Sequence, residues 1–192
     1  MYHLVLASTS VYRKALLQRL GLPFETASPQ VDETETDTES PQATALRLAE
    51  LKARAVAIRH PKSLIIGSDQ VAALGRLRLN KPLVHEAAVR QLQAARGKAV
   101  QFHTALCLLD AASGACETRL VSSTVVFRNS TDAQIEHYLL REKPYDCAGS
   151  AKAEGLGIAL MAKLESDDPT ALIGLPLIAL TEMLETRGVA VI

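Results

Sequence analysis

Residues 63–82, SLIIGSDQVAALGRLRLNKP, constrain this chain more than any other stretch. Leu64, Ile65 and Ile66 form a short apolar run, β-branched at two positions, which suits a strand buried on both faces better than a helical turn. The run predicts a stop at Gly67, whose backbone freedom fits a change of direction, followed by the small hydroxyl of Ser68 and the carboxylate of Asp69. On that reading Asp69 sits where a buried strand emerges, presented rather than buried. Ligands of α/β sheets collect there, so Asp69 is a candidate to bind a metal ion or activate a water. An Asp after a strand is most often an ordinary turn or helix-cap residue that hydrogen-bonds its own backbone, so position alone does not make it catalytic. Gly75 predicts a turn between residues 71–73 and 76–79, a hairpin-like excursion that returns Lys81 toward Asp69.

A chain of 192 residues fits one large domain or two intimate lobes, and buries roughly 70% of the surface its unfolded form exposes. Its apolar share of 48% and charged share of 22% are those of an ordered globular protein. Twenty-one basic residues balance 21 acidic ones, so no global field exists to hold a nucleic-acid backbone or an anionic membrane, and a small-molecule partner is expected. Cys107, Cys116 and Cys147 are odd in number and lack metal-ligand spacing, which predicts free thiols and a reducing compartment. Residues 4–7 lack the charged flank and length of a signal peptide, and nothing approaches a membrane span. The expected location is the cytoplasm.

Along the chain, residues 4–7 read as a first strand and Ser8, Thr9 and Ser10 as a hydroxyl-rich turn. Ser10 is a candidate N-cap for a helix carrying Leu16, Leu17 and Leu20 and closed by Gly21. Ser8, Ser10 and Arg13 at that helix start can hold a phosphate; the plain alternative is a capped helix with an exposed Arg, since P-loop glycines are absent. Residues 24–27 read as a second strand. The acidic run that follows, with Asp32, Glu33, Glu35, Asp37 and Glu39, reads as a solvated loop in which composition cannot single out a metal ligand. Ser40 and Pro41 start a helix to about Arg59 with a stripe of Ala45, Leu48, Ala49 and Val56. Lys52 falls inside that stripe, so it either extends its stem to water or meets an anion at the edge of the core.

Residues 86–96 read as another helix, and residues 100–109 and 119–128 as a long hairpin around Ser113 and Gly114. His103 has no second His at ligand spacing and reads as packed or solvent-facing. Thr131 and Gln134 form a capping box for a helix to about Glu142. In CAGSAKAEGLG three glycines allow a ligand close to the backbone while Lys152 and Glu154 supply charge, unless the segment is a plain surface loop. Residues 157–161 read as a short strand, 166–169 as an acidic turn and 176–185 as the last helix. Strands and helices alternate without repeat or linker, which predicts a mixed α/β fold over a single domain, residues 1–192.

Five of these stretches, LASTSVYRKALLQRL, VDE at residues 31–33, LAELKA around Lys52, SDQV at Asp69 and KP at Lys81, resemble the Maf-type nucleotide pyrophosphatases in order and spacing, over essentially the whole chain. SDQV with CAGSAKAEGLGIAL and DPTALIGLPLIAL is similar to the branch acting on 7-methyl-GTP rather than that acting on dTTP and UTP. The resemblance implies an elongated mixed sheet flanked by helices, with two lobes around a central cleft as in the inosine triphosphate pyrophosphatases. It implies cleavage of a nucleoside triphosphate between the α and β phosphorus atoms with a divalent cation, Mg²⁺ or Mn²⁺. By motif match Ser8, Arg13, Lys52 and Lys81 contact phosphates, Glu33 and Asp69 serve metal and water, and Asp69 is the proton acceptor. Tyr12, Gln70 and Glu154 match the positions that separate the branches. Val11 stands where the family usually has Pro, Tyr12 where this branch often has Trp, and Asn80 where Gly commonly precedes the Lys. The rival functions are a dTTP and UTP pyrophosphatase and a nucleotide-binding regulator of cell division. Oligomeric state stays open, a homodimer included.

Overall fold

The computed structural model describes residues 3–34, 36 and 38–192, so Glu35 and Asp37 of the acidic run lie outside the described residues. The first apolar run forms β1 (His3–Leu6), and residues 7–10 lead into α1 (Val11–Gln18). Ser10 caps that helix by accepting from the Arg13 N–H at 3.4 Å, and Gly21 closes the segment at φ +68°. After β2 (Phe24–Thr26) comes α2 (Pro41–Ala57), where Ser40 Oγ accepts from the Ala43 N–H at 3.1 Å. The central stretch forms β3 (Ser63–Leu74) and β4 (Leu77–Arg78), joined through Gly75 at φ +59°. Then follow α3 (His85–Ala95), the hairpin β5 (Ala99–Asp110) and β6 (Cys116–Phe127), α4 (Asp132–Glu142) with its capping box in place, β7 (Met161–Ser166) and α5 (Leu177–Thr186).

The strands make one mixed sheet in the order β2-β1-β3-β5-β6-β7, with β4 appended to β3. β1 runs parallel to β2 and β3, and every other pairing is antiparallel. Two cores sandwich one end of the sheet: Leu6, Leu64 and Leu106 under α1 and α5, and Val5, Ile65 and Ala105 under α2. A third core at the other end packs Phe102 and Val125 against Leu92 of α3 and Ile135 and Leu139 of α4. Among the described residues, no helix is long and apolar enough to cross a membrane.

Two expectations are corrected. β3 does not stop at Gly67, because β5 pairs with it from Leu64 to Ala73 and carries the ladder past the glycine. Asp69 is therefore mid-strand and buried, 6% exposed. Gly67 is needed for contact rather than torsion: a Cβ there would stand 2.1 Å from the Ala49 carbonyl oxygen and 3.0 Å from Ala53 Cβ, so its absence lets α2 lie directly on the sheet. Residues 157–161 are not a strand either. Leu156–Leu160 form a 3₁₀ turn, since the Gly157 and Gly155 N–H groups both donate to the Lys152 carbonyl and fold the chain back before β7 starts at Met161.

Candidate active site

Pairing of β1 with β3 ends at Leu6 and Ile66, whereas β3 runs on for another eight residues. That unequal length leaves one edge of β3 open beyond Gly67, and there a cleft of about 760 Å³ begins. It is lined by α1 and α2 from one end of the sheet and by residues 80–83 and 146–154 from the other. The structure brings every candidate residue to it: Ser8, Tyr12, Arg13, Glu33, Lys52, Asp69, Gln70, Lys81 and Glu154 all line this cleft.

Its centre is an ion trio. Lys52, 4% exposed on the apolar stripe of α2, places Nζ 2.6 Å from Asp69 Oδ1 and 3.0 Å from Glu33 Oε2. The ammonium thus meets anions rather than water, and charge-assisted hydrogen bonds offset its lost hydration. Asp69 is fixed by its strand, while Glu33 reaches in from a loop with half its side chain exposed. Both carboxylates converge on one point. An oxygen-only pair of that kind fits a divalent cation that keeps several waters.

Around the trio lie the other residues expected to contact phosphates. Ser8 Oγ accepts from the Ser10 N–H at 3.1 Å and is itself buried, which folds the turn against the start of α1. Arg13 donates from Nε to the Gly174 carbonyl at 2.8 Å. Burial lowers its pKa from the ordinary guanidinium value while the charges of Asp69 and Glu33 oppose the shift, and arginine is basic enough to stay a cation. Lys81 arrives by the excursion through β4: the Leu79 N–H donates to the Ala72 carbonyl at 2.8 Å and directs the chain back to the cleft.

The opposite wall is aromatic and acidic. The Tyr12 hydroxyl donates to Asp146 Oδ1 at 3.3 Å, and the Lys152 ammonium stands 5.6 Å from the Tyr12 ring centroid while pairing with Glu142 at 2.8 Å. Burial, together with Cys147 and Asp146, raises the Tyr12 pKa and keeps it a donor. Burial also raises the Glu154 carboxyl, with Glu142 and Asp146 adding to the effect and Lys152 opposing it. Gln70 Nε2 lies 2.9 Å from Thr104 Oγ1 and 3.0 Å from both the Ala171 and Leu172 carbonyls. Carbonyls only accept, so the nitrogen faces them and the amide oxygen is left for a ligand.

The family described as "Maf-like protein" matches residues 3–187. The chain belongs to the Maf family. Proteins named "7-methyl-GTP pyrophosphatase" are similar along nearly the full Maf domain. That of Nitrosospira multiformis is 57% identical over 98% of this chain and 96% of its own. That of Thiobacillus denitrificans is 60% identical over 98% and 94%, respectively. Among solved structures the Staphylococcus aureus Ham1 protein superposes with a TM-score of 0.47 and 15% identity, over 67% of this chain and 73% of that one. The Maf motifs read in the sequence line the cleft: residues 7–13 close one end, Glu33 joins Lys52 and Asp69 at the centre, residues 69–71 form the open edge of β3, and Asn80 and Lys81 face it.

Sequence reasoning missed Asp146, Cys147 and Gly174. The first two stand at the head of CAGSAKAEGLG, whose three glycines draw notice for backbone freedom and hide the acid before them. The third acts through its carbonyl, to which both Arg13 Nε and Ser68 Oγ donate, and no residue type advertises a carbonyl.

Proposed function

We propose that this chain is a nucleoside triphosphate pyrophosphatase that hydrolyses 7-methyl-GTP to 7-methyl-GMP and pyrophosphate, acting in the cytoplasm on free nucleotide. The observation that carries this reading is the buried Lys52 ammonium held by Asp69 and Glu33 at the open edge of β3, in a Maf cleft whose far wall is acidic and aromatic. The names of its full-length relatives support the substrate.

Triphosphate hydrolysis is chiefly a matter of positioning and charge stabilisation. Arg13, Lys52 and Lys81 hold the phosphates, and Ser8 with the start of α1 adds uncharged donors. Asp69, rigid on β3, accepts the proton of the attacking water, a contribution of roughly 10² to 10⁴ in rate. Glu33 and Asp69 would hold Mg²⁺ or Mn²⁺, which supplies charge neutralisation and polarises water. Cleavage of the α–β anhydride bond releases pyrophosphate onto the cations. Tyr12, Gln70 and Glu154 face the base.

The test is a panel of 7-methyl-GTP, GTP, dTTP and UTP assayed for pyrophosphate with either metal. The highest kcat/KM is expected on 7-methyl-GTP. Preference for dTTP or UTP would move the chain to the other branch, and binding without turnover would make it a nucleotide-binding regulator.

A further inference from the structure

At the opposite end of β1 from the cleft, three side chains from distant parts of the sequence meet. His3 opens β1, Glu25 lies within β2, and His60 sits in the turn after α2. The parallel register sets Val5 beside Glu25 and His3 beside Ser63, and residues two apart on a strand share a face, so His3, Glu25 and Ser63 lie on the face that Val5 and Ile65 present to α2. The last turn of α2 brings His60 to the same edge. One ligand atom from each of His3, Glu25 and His60 lies within 4.8 Å of the other two. His3 Nε2 is 3.3 Å from Glu25 Oε1, and the two imidazoles stack with centroids 6.4 Å apart. On its other side His3 Nδ1 lies 3.0 Å from the hydroxyl of Ser63, a buried residue.

We propose that His3, Glu25 and His60 form a metal site distinct from the cleft, selective for a borderline transition-metal ion of the Zn²⁺ class. Two imidazoles and one carboxylate are a zinc ligand set that leaves a fourth position for water. With the Nδ1 proton donated to Ser63, Nε2 keeps its lone pair on the side of Glu25, the arrangement by which a hydrogen bond on one ring nitrogen fixes the other as ligand. Zinc needs its nitrogen ligands about 3.3 Å apart, from Zn–N bonds of about 2.0 Å. The side chains of His3 and Glu25 are 48% and 60% exposed, so rotating them inward disturbs no core. Mg²⁺ prefers an all-oxygen shell and is served by Glu33 and Asp69 instead. The chain thus separates two metals by donor chemistry. Bound zinc ties the short edge strand β2, the start of β1 and the end of α2 together, so its consequence is stability, independent of the proposed reaction.

The probe is Zn²⁺ alone, titrated calorimetrically into the chelator-stripped full chain, with thermal melts in Zn²⁺ and in Mg²⁺. Wild type is expected to bind Zn²⁺ and gain Tm. In Glu25→Gln, at an exposed position, and His60→Ala, at a half-buried one outside the apolar cores, this affinity should fall at least about 10-fold and the Tm gain should vanish. Asp69→Asn should retain both, which separates the site from the cleft carboxylates. Equal zinc affinity and Tm gain in wild type, His60→Ala and Glu25→Gln would overturn the proposal, as would absence of zinc binding in wild type. A Mg²⁺ gain of equal size that His60→Ala abolishes would overturn the selectivity.

Discussion

At the level of single residues, the sign of a change at Lys52 depends on what faces it. Helical periodicity alone makes Lys52 a liability, an ammonium on an apolar stripe whose removal should help the fold. In the structure Asp69 and Glu33 neutralise it, and Asp69 cannot leave. Removing one member of a buried pair strands the other charge, at a cost of about 3–5 kcal/mol. Lys52→Met is therefore expected to lower stability by that order in urea unfolding, and Lys52→Met with Asp69→Asn to recover most of it. A single variant as stable as wild type would show that Asp69 relaxes to solvent. Asp69→Asn alone keeps the volume but removes the proposed proton acceptor and cation ligand, so kcat should fall at least about 10²-fold with the fold intact by circular dichroism. Near-normal turnover in that variant would take the base role away from Asp69.

Among the elements, α2 positions the site because nothing separates it from β3 at Gly67. Gly67→Ala puts a methyl 2.1 Å from a backbone oxygen, so the helix must lift and carry Lys52 away from Asp69. Overpacking of this kind costs about 1–3 kcal/mol, and activity should drop further than stability does, because the shift lands on the ion pair. Denaturation and turnover measured on one preparation decide it; loss of stability with unchanged kcat/KM would show that the trio tolerates a displaced helix. The same element explains what was legible. The helix starts at Ser10, Ser40 and Thr131 were readable because capping is a contact within three residues. The length of β3 was not, because it is set by β5, whose pairing residues come later in the chain, from Ala73 with Gln101 to Leu64 with Asp110. Gly67 was noticed for its flexibility and matters for its smallness, a distinction that appears only when the packed helix is known.

In the whole molecule the cleft exists because two ends of one sheet carry separate cores and β1 is shorter than β3. Charged residues foretold its ion-lined side, since cations and carboxylates with few partners in their own segment need partners elsewhere. Its aromatic and acidic wall, the proposed base side, was less legible, because Asp146 takes its meaning from Tyr12, 134 positions away. His3 and His60 escaped notice likewise, for spacing along the chain says nothing about residues joined by a sheet edge. The last prediction concerns this base side. Methylation at N7 makes guanine a cation, and the Tyr12 ring already has the Lys152 ammonium near it, so a positive group is compatible with that wall. Glu154 adds a carboxylate at the same wall, and a charge-assisted hydrogen bond favours the methylated base over the neutral one. Glu154→Gln is therefore expected to narrow the ratio of kcat/KM for 7-methyl-GTP over GTP by about 10-fold, equivalent to about 1.4 kcal/mol. Because burial raises the Glu154 carboxyl above its ordinary 4.5, the charge that reads the base is lost at a higher pH than for a free carboxylate. The wild-type ratio should thus decline as pH falls toward that raised range, and the Gln variant should show no such decline. Both substrates measured on both proteins across pH settle the matter: an equal ratio in the two proteins would mean that Glu154 does not read the base, and a pH trend surviving in Glu154→Gln would assign the titration to another group.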